Sequence, residues 1–235
     1  MAEYHLHAAH LYADLMNTYG DYGNLVALRY YANQIGVELD VELVSIGDEF
    51  DEDKFDFVLF GGGQDYEEAV VAKDLPMKAA GLKRYIEADG PLLGVCGGFQ
   101  LLGEYFLLAD GTRIEGISAM KHYTLNQPHN RFTGNIKIEN SETGQEYKGF
   151  ENHQGRTFLA DNQRPLGKVL QGKGNNGEDG GEGLIYKNVY GTYFHGPILT
   201  RNGNLALRIL QIALERKYPD MDWASQIARI EPESF

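Results

Sequence analysis

Short apolar runs alternate with longer amphipathic stretches through the first half of the chain. Four runs predict strands, at residues 4–11, 37–44, 55–60 and 91–95; the first partly alternates, and the last two have the length and composition of buried strands. The spacing of apolar residues predicts helices between them, at 24–35, 64–73 and 74–88, and a further helix after Cys96. Strands separated by helices of this length form right-handed crossovers within a parallel sheet. The pattern therefore predicts an α/β fold, with a mostly parallel sheet and flanking helices.

Individual residues refine the boundaries of these helices. Asn24 is predicted to cap the first helix and Gly36 to end it. Dense apolar positions between 99 and 107 predict a core-facing helix. The helix at 74–88 is predicted to bury one apolar face, made of Leu75, Met77, Ala79, Leu82 and Ile86.

The second half of the chain has a different pattern. Between 113 and 170 it is rich in Gly, Asn and Thr, with short β-type runs such as 132–139. The glycine-rich segment 172–183 predicts a flexible loop, and it lacks the pattern of a phosphate-binding loop. Two strands and a closing amphipathic helix follow, at 184–186, 189–194 and 204–217. No repeat or boundary divides the chain, so we expect one domain over 1–235.

The single cysteine of the chain lies at a predicted strand-to-helix junction, Gly94-Val95-Cys96-Gly97-Gly98-Phe99-Gln100. A nucleophile at such a bend, among glycines, is typical of a nucleophile elbow. The N-terminus of the following helix is expected to stabilise a thiolate and lower its pKa. A free cysteine is also commonly buried as a small apolar residue, but the neighbouring glycines favour a nucleophile.

A cysteine nucleophile usually works with a histidine that activates it and shuttles its proton. Of the seven histidines, His195 follows an apolar strand and precedes a Gly-Pro stop, so it is expected at the same sheet edge as Cys96. His153 is the second candidate, for a supporting position around the site. The other five lie in the first strand or show no base-like setting. Neither the histidine spacing nor the single cysteine fits a metal site.

The formal charge of −13 limits the kinds of partner that the protein is expected to bind. Phosphate contacts need clustered Lys and Arg, so neither nucleic acid nor an anionic membrane surface is an expected partner. No apolar run is long enough to cross a bilayer, and the N-terminus lacks a signal-peptide pattern. One cysteine suits a reducing compartment. We therefore expect a cytoplasmic globular protein.

Several motifs together resemble a known family. The elbow at 94–100 resembles that of class I (triad-type) glutamine amidotransferases, which have a flavodoxin-like fold, and the segment 61–65 resembles their oxyanion loop. Four further motifs are similar to the cobyric-acid-synthase-like branch, at 21–24, 130–135, 150–153 and 191–197. The segment 11–17 resembles the standalone members of the GatD type, the glutaminase subunits of lipid II isoglutaminyl synthases. The resemblance covers nearly the whole chain.

This resemblance implies an enzyme subunit that hydrolyses L-glutamine through a thioester on Cys96, with His195 as general acid and base. The family partner is a Mur-ligase-like synthetase of the MurT type, which forms a heterodimer with the glutaminase. That partner uses ATP to amidate D-glutamate in the lipid II stem peptide to D-isoglutamine. No cofactor is implied on this chain, and it carries no nucleotide motif.

The resemblance also implies roles around the nucleophile. Backbone N–H groups of Gly62, Gly63 and Gly97 would hold the oxyanion of the tetrahedral intermediate. Arg131 would clamp the α-carboxylate of glutamine, since a guanidinium binds a carboxylate through two hydrogen bonds. Gln100, on the first turn after the nucleophile, would hydrogen-bond the substrate.

One position departs from the family pattern. Many class I enzymes carry a glutamate two residues after the histidine, and here that position is Pro197. The site is then a Cys–His dyad, or Glu151 or Asp21 supplies the acid, or the partner subunit supplies it across the interface.

Three other functions stay open at this stage. The chain could be the glutaminase component of a cobyrinic-acid-type amidase, although the synthetase is normally fused to that enzyme. It could be a Cys–His γ-glutamyl hydrolase on the same fold, which needs no partner. A non-catalytic scaffold is the third possibility, against which the presence of both Cys96 and His195 weighs.

Overall fold

Three β-sheets and six α-helices make up the fold in the computed structural model, which describes residues 3–235. The strands in chain order are β1 Tyr4–Leu11, β2 Val37–Val44, β3 Phe57–Phe60, β4 Leu92–Val95, β5 Tyr105–Leu107, β6 Arg113–Glu115, β7 His122–Asn126, β8 Phe132–Glu139, β9 Glu146–His153, β10 Gly155–Leu159, β11 Gly167–Gln171, β12 Gly181–Glu182, β13 Leu184–Tyr186, β14 Val189–Thr192 and β15 Phe194–His195. The helices are α1 Gly23–Gln34, α2 Asp65–Glu87, α3 Gly97–Leu102, α4 Ile198–Arg201, α5 Gly203–Lys217 and α6 Trp223–Ile227. A short 3-10 helix, Thr18–Gly20, precedes α1.

The six-stranded sheet forms the centre of the molecule, in the order β13-β14-β4-β3-β1-β2. All neighbours in it are parallel except β13, which pairs antiparallel with β14. The prediction of an α/β fold with a mostly parallel sheet is therefore confirmed. Strands β3 and β4 lie side by side, with Phe60 opposite Gly94. Their carboxyl ends consequently bring the glycine loop 61–63 next to Cys96.

Two smaller antiparallel or mixed sheets are built from the second half of the chain, in the orders β10-β7-β5-β6 and β12-β11-β8-β9-β15. The predicted strand 132–139 is confirmed as β8. The predicted strand 189–194 breaks at Tyr193, because the backbone leaves the central sheet there. Its last part, β15, pairs with β9 of the small sheet, with His195 opposite Phe150.

Helices cover both faces of the central sheet. One core packs α1, α5 and α6 against the sheet, with Leu28, Tyr31 and Ile209 fully inside it. The other packs α2 and α3 against the opposite face, through residues such as Leu75 and Phe99. Cys96 contacts both cores, since it lies at the edge where the two faces meet.

The predicted helices in the middle of the chain need correction. The segments 64–73 and 74–88 form a single helix, α2, with Pro76 inside it. Asp74 does not begin a helix, because its carboxylate accepts hydrogen bonds from the side chains of Tyr12 and Lys78. Met77 is 67% exposed and does not belong to the buried face. The helix after the elbow ends at Leu102, and 105–107 forms strand β5 instead.

Three further expectations differ from the structure. Asn24 lies inside α1 and is buried, and its Oδ1 accepts a hydrogen bond from the Leu199 N–H at 2.9 Å. The loop 172–183 is anchored by the buried side chains of Asn175 and Asn176 and ends in β12. The helix α5 does not close the fold, since α6 follows it. Within residues 3–235, no helix combines the length and hydropathy that crossing a bilayer requires.

Candidate active site

Cys96 lies at a sharp bend between β4 and α3. Its backbone has φ 49° and ψ −108°, a conformation that non-glycine residues rarely adopt. Its N–H donates to the Thr192 carbonyl at 2.8 Å, and its carbonyl accepts from the Gln100 N–H at 2.9 Å. These bonds hold the strained residue between strand and helix, which is the geometry of a nucleophile elbow.

The glycines of the elbow are required by close approach rather than by left-handed backbone. A Cβ on Gly98 would lie 2.1 Å from the Phe60 carbonyl oxygen. A Cβ on Gly97 would lie 2.2 Å from Oε1 of Glu68. Neither glycine has positive φ. Their small size allows the elbow to contact β3 on one side and α2 on the other.

A cleft of about 860 Å³ opens at this bend. It is lined by the two predicted catalytic residues, Cys96 and His195, together with Gly63, Gln100 and Arg131. Gly62 lies beside the nucleophile, since a Cβ on it would be 3.1 Å from Cβ of Cys96. Residues from four separate parts of the chain therefore meet at one cleft.

His195 is buried within this cleft, at the end of β15. Neither of its ring nitrogens has a hydrogen-bond partner within residues 3–235. The exposed ring of Tyr19 covers it, with the ring centroids 4.7 Å apart. Burial, with a smaller effect of the nearby Arg131, lowers the pKa of His195 to about 4. The imidazole is consequently neutral at physiological pH.

Glu151 and Asp21, the internal carboxylates suggested as the third member of the catalytic site, form hydrogen bonds with other groups. Glu151 accepts from the backbone N–H groups of Lys173 and Gly174. Asp21 accepts from the Gly62 N–H at 2.7 Å. Neither carboxylate bonds to His195, so this arrangement provides no internal acid for the imidazole.

The thiol of Cys96 is not acidified in this structure. Burial raises its pKa above the ordinary value, and the nearby Glu68 and Asp21 raise it further. The Gly97 N–H and Arg131 act in the opposite direction with smaller effect. The expected lowering of the thiol pKa by the helix N-terminus is thus outweighed by burial, and the resting pair is a neutral thiol with a neutral imidazole.

The oxyanion loop differs from the prediction at Gly62. Its N–H is engaged by the buried Asp21 carboxylate and is not available to a substrate oxygen in this arrangement. Gly63 lines the cleft, and Gly97 follows the nucleophile directly. Gly63 and Gly97 therefore stay the two predicted oxyanion donors.

Arg131 presents its guanidinium at the cleft without a carboxylate partner within residues 3–235. Its Nη1 donates to Oδ1 of Asn152 at 3.1 Å and its Nη2 to Oε1 of Gln154 at 2.7 Å. Asn152 in turn donates to the Tyr19 hydroxyl at 2.5 Å. Neutral amides thus orient the cation and leave its charge uncompensated, as an anion-binding site requires.

Two other predicted residues are tied into the floor of the cleft. Nε2 of Gln100 donates to the Tyr193 hydroxyl at 3.1 Å. The His153 ring stacks on the Tyr193 ring, with centroids 3.9 Å apart, and its Nδ1 contacts the Gly155 carbonyl. Burial lowers the pKa of His153 to about 3. His153 is thus a neutral packing residue in this structure, and the Nε2 of Gln100 is already engaged by Tyr193.

Glu182 is fully buried beneath the turn that leads into His195. It accepts hydrogen bonds from the Tyr193 N–H at 2.7 Å and the Thr192 hydroxyl at 3.0 Å. Burial raises its pKa to about 8. The folded protein therefore retains a proton on Glu182 that the unfolded chain releases above about pH 4.5.

This proton makes stability depend on pH, and Glu182→Gln tests it. Because the folded-state pKa is raised, the contribution of Glu182 to stability falls as pH rises from about 4.5 to about 8. Gln imitates the protonated acid, so between about pH 5 and pH 8.5 the variant should gain on the wild type by about 4 kcal/mol, or about 8–16 °C in unfolding midpoint. Thermal unfolding at both pH values measures this gain. The exposed Glu178→Gln is the control, and an equal change in both variants would contradict the prediction.

Sequence reasoning missed three residues of the site: Tyr19, Glu68 and Asn126. All three line the cleft. Glu68 belongs to an acidic stretch that reads as a solvated first turn of a helix, and Tyr19 to a polar loop. Their positions depend on tertiary packing, and no local pattern marks them.

Comparison with known proteins agrees with this geometry. The family model for the CobB/CobQ-like glutamine amidotransferase domain matches residues 7–203. The subunit GatD of the glutamine-hydrolysing lipid II isoglutaminyl synthase of Streptococcus pneumoniae is 57% identical, over 92% of this chain and 83% of that protein. The subunit of the same name from Staphylococcus aureus is 41% identical, over 88% and 84%.

Solved structures support the same fold. A crystal structure of a glutamine amidotransferase superposes with a TM-score of 0.58 at 14% identity, covering 87% of this chain and 98% of that one. The resemblance seen in the motifs around Cys96 and His195 is confirmed by the family model and by the two related subunits. The chain belongs to the CobB/CobQ-like glutamine amidotransferase family.

Proposed function

We propose that this chain is the glutamine-hydrolysing subunit of a lipid II isoglutaminyl synthase. The observation that carries the proposal is the 57% identity, over nearly the whole chain, to a subunit of that name. The cleft that joins Cys96, His195 and Arg131 supports it, because it combines a nucleophile, a base and a carboxylate-binding cation. The partner is a Mur-ligase-like synthetase of the MurT type. With ATP bound to it, the partner activates the α-carboxyl group of D-glutamate in the lipid II stem peptide for amidation to D-isoglutamine.

The chemistry assigned to this chain is the hydrolysis of L-glutamine to glutamate and ammonia. Sγ of Cys96 attacks the side-chain amide carbon while His195 takes the thiol proton and returns it to the departing ammonia. N–H groups of Gly97 and Gly63 hold the oxyanion of each tetrahedral intermediate. His195 then takes a proton from water, whose oxygen attacks the thioester and releases glutamate and the thiol. Arg131 holds the α-carboxylate throughout.

The isolated chain, in the part that the structure describes, places no carboxylate beside His195, and this chemistry needs one there. Its imidazole is buried, is unpartnered within residues 3–235, and has its pKa lowered to about 4. A carboxylate beside the ring would raise that pKa and stabilise the imidazolium formed with the thiolate. Glu151 and Asp21 are engaged by backbone N–H groups. The partner subunit is therefore the proposed source of the acid, which couples glutamine hydrolysis to assembly.

Glutamine hydrolysis should consequently be much slower in the isolated chain than in the complex. We expect a difference in kcat/KM of at least about 100-fold, the lower range for properly placed acid–base groups. Glutamate release from L-glutamine, followed with and without the synthetase, measures it. Equal rates for the isolated chain and the complex would exclude a partner-supplied acid.

The proposed function is tested by reconstitution with the Mur-ligase-like synthetase. The purified complex, given L-glutamine, ATP and lipid II, should convert the D-glutamate carboxyl of the stem peptide into a carboxamide, detected by mass spectrometry. Purification of the chain from its native cells should recover the same synthetase. Recovery of a corrin synthetase, or amidation of a corrin carboxylate, would overturn the proposal in favour of a cobyrinic-acid-type amidase.

A further inference from the structure

The first turn of α2 forms an acidic wall of the cleft. Glu68 lies in this wall and is 3% exposed, yet it lines the same cleft as Cys96. Its carboxylate is held against Gly97, where no side chain intervenes. Its Oε2 has no hydrogen-bond partner within residues 3–235. A buried carboxylate is costly without a donor or cation, so this atom is placed for a ligand that supplies one.

Two more side-chain oxygens of the cleft share this state. Oε2 of Glu67 and Oδ1 of Asn126 are also buried without a partner in the described part of the chain. Both residues line the cleft with Glu68. All three of these oxygens are acceptors, so the group missing beside them is a donor. An ammonium group offers three N–H donors and a positive charge, which match three acceptors of which two are carboxylate oxygens.

Arg131 gives the same cleft its opposite charge. It is the arginine of the lining, and its guanidinium is oriented by neutral amides rather than by a carboxylate. A cleft with a cation that has no carboxylate partner and three unsatisfied acceptors, two of them carboxylate oxygens, is complementary to a zwitterion. Free amino acids carry such a pair of charges on one carbon atom, and glutamine places its amide at the other end.

We propose that Glu68, assisted by Asn126 and Glu67, binds the α-ammonium group of the glutamine substrate. These residues then select amides that carry a free α-amino group. The inference rests on the proposed glutaminase function and extends it to residues with no assigned role. Glu68 acts on the substrate's ammonium group and takes no part in proton transfer.

The bound ammonium group also decides the charge on Glu68. Burial raises the pKa of Glu68 to about 8 while the cleft is empty. A bound ammonium group favours the ionised carboxylate and lowers that pKa, because an opposite charge stabilises the charged form. The carboxylate and the ammonium group then form a neutral pair, so an ionised Glu68 adds no net charge beside the Cys96 thiol.

Glu68→Gln in the two-subunit complex tests the proposal with two substrates. One is L-glutamine, and the other is glutaramate, the same chain without the α-amino group. The wild type should prefer L-glutamine in kcat/KM, and the variant should lose about 10- to 100-fold of this preference through a higher KM for L-glutamine. Hydrolysis of glutaramate, which lacks the group that Glu68 binds, should not fall. Glu68→Asp, which keeps the charge, should retain part of the preference.

The exposed Glu49→Gln is the matched control and should behave as wild type. An equal loss on both substrates would show a structural role for Glu68 and overturn the proposal. A Glu68→Gln variant that keeps the full preference for L-glutamine would also overturn it. The same holds if Glu68→Gln changes only the fraction of released ammonia that reaches the acceptor. The last result would identify free ammonium as the ligand. Failure of the wild-type complex to hydrolyse L-glutamine would instead overturn the proposed function, and this inference with it.

Discussion

Replacement of Cys96 by alanine should abolish glutamine hydrolysis, with kcat/KM lowered at least about 10⁴-fold. Alanine cannot form the thioester, and no second thiol exists in the chain. The fold should survive, because alanine meets the same positive φ that cysteine already tolerates and fits the same space. Glutamate release by the complex measures the loss, and thermal unfolding checks the fold.

The same variant separates ammonia production from amidation. In the complex, Cys96→Ala should still amidate lipid II when ammonium chloride replaces L-glutamine, because the synthetase site is on the partner. Cys96→Ser is the conservative companion and should behave similarly with both nitrogen sources. Glutamine-dependent amidation that persists in Cys96→Ala would refute the thioester mechanism.

Gly98→Ala is expected to have the largest effect on stability. The added Cβ would lie 2.1 Å from the Phe60 carbonyl oxygen, a backbone atom that cannot move without shifting β3. We expect a loss of about 3 kcal/mol or more in the free energy of unfolding, or about 6–12 °C in unfolding midpoint. Glutaminase activity should fall with it, since the elbow is displaced from the oxyanion loop. Chemical and thermal unfolding measure the loss.

Gly111→Ala is the matched control for this variant. Gly111 has φ +84°, and a Cβ there would meet nothing within 4 Å. Its replacement should cost only the backbone strain of alanine at positive φ, about 1–2 kcal/mol. If Gly98→Ala lowers the free energy of unfolding no more than Gly111→Ala does, the elbow tolerates a larger spacing from β3.

Much of the fold and the centre of the site followed from local patterns. The strand, the glycines and the helix around Cys96 lie next to one another in the sequence, so the elbow could be predicted. His195 could be predicted because the carboxyl end of an apolar strand determines the sheet edge at which it lies. The single helix α2 was missed because Asp74 and Pro76 resemble a helix start, while the bonds of Asp74 to Tyr12 and Lys78 are tertiary.

Other features of the site depend on contacts between distant segments. The Gly62 N–H is withdrawn by Asp21, forty-one positions earlier in the chain. The acid of Glu68 becomes buried only because Gly97 leaves room for it. The raised pKa of the thiol results from burial and these two carboxyls, which a helix N-terminus could not reveal. Such effects require the packed structure.

The chain leaves the central sheet after β14 and joins the small sheet at β15, so the two catalytic side chains are held by different sheets. Cys96 is fixed to the central sheet through its bond to Thr192, while His195 is fixed to the small sheet through its pairing with Phe150 on β9. The two reacting groups thus belong to two different sheets, which the chain joins at Tyr193. The distance between the sulfur and the imidazole therefore depends on the packing of the small sheet against the central sheet, and a substitution between these sheets would change it from outside the cleft.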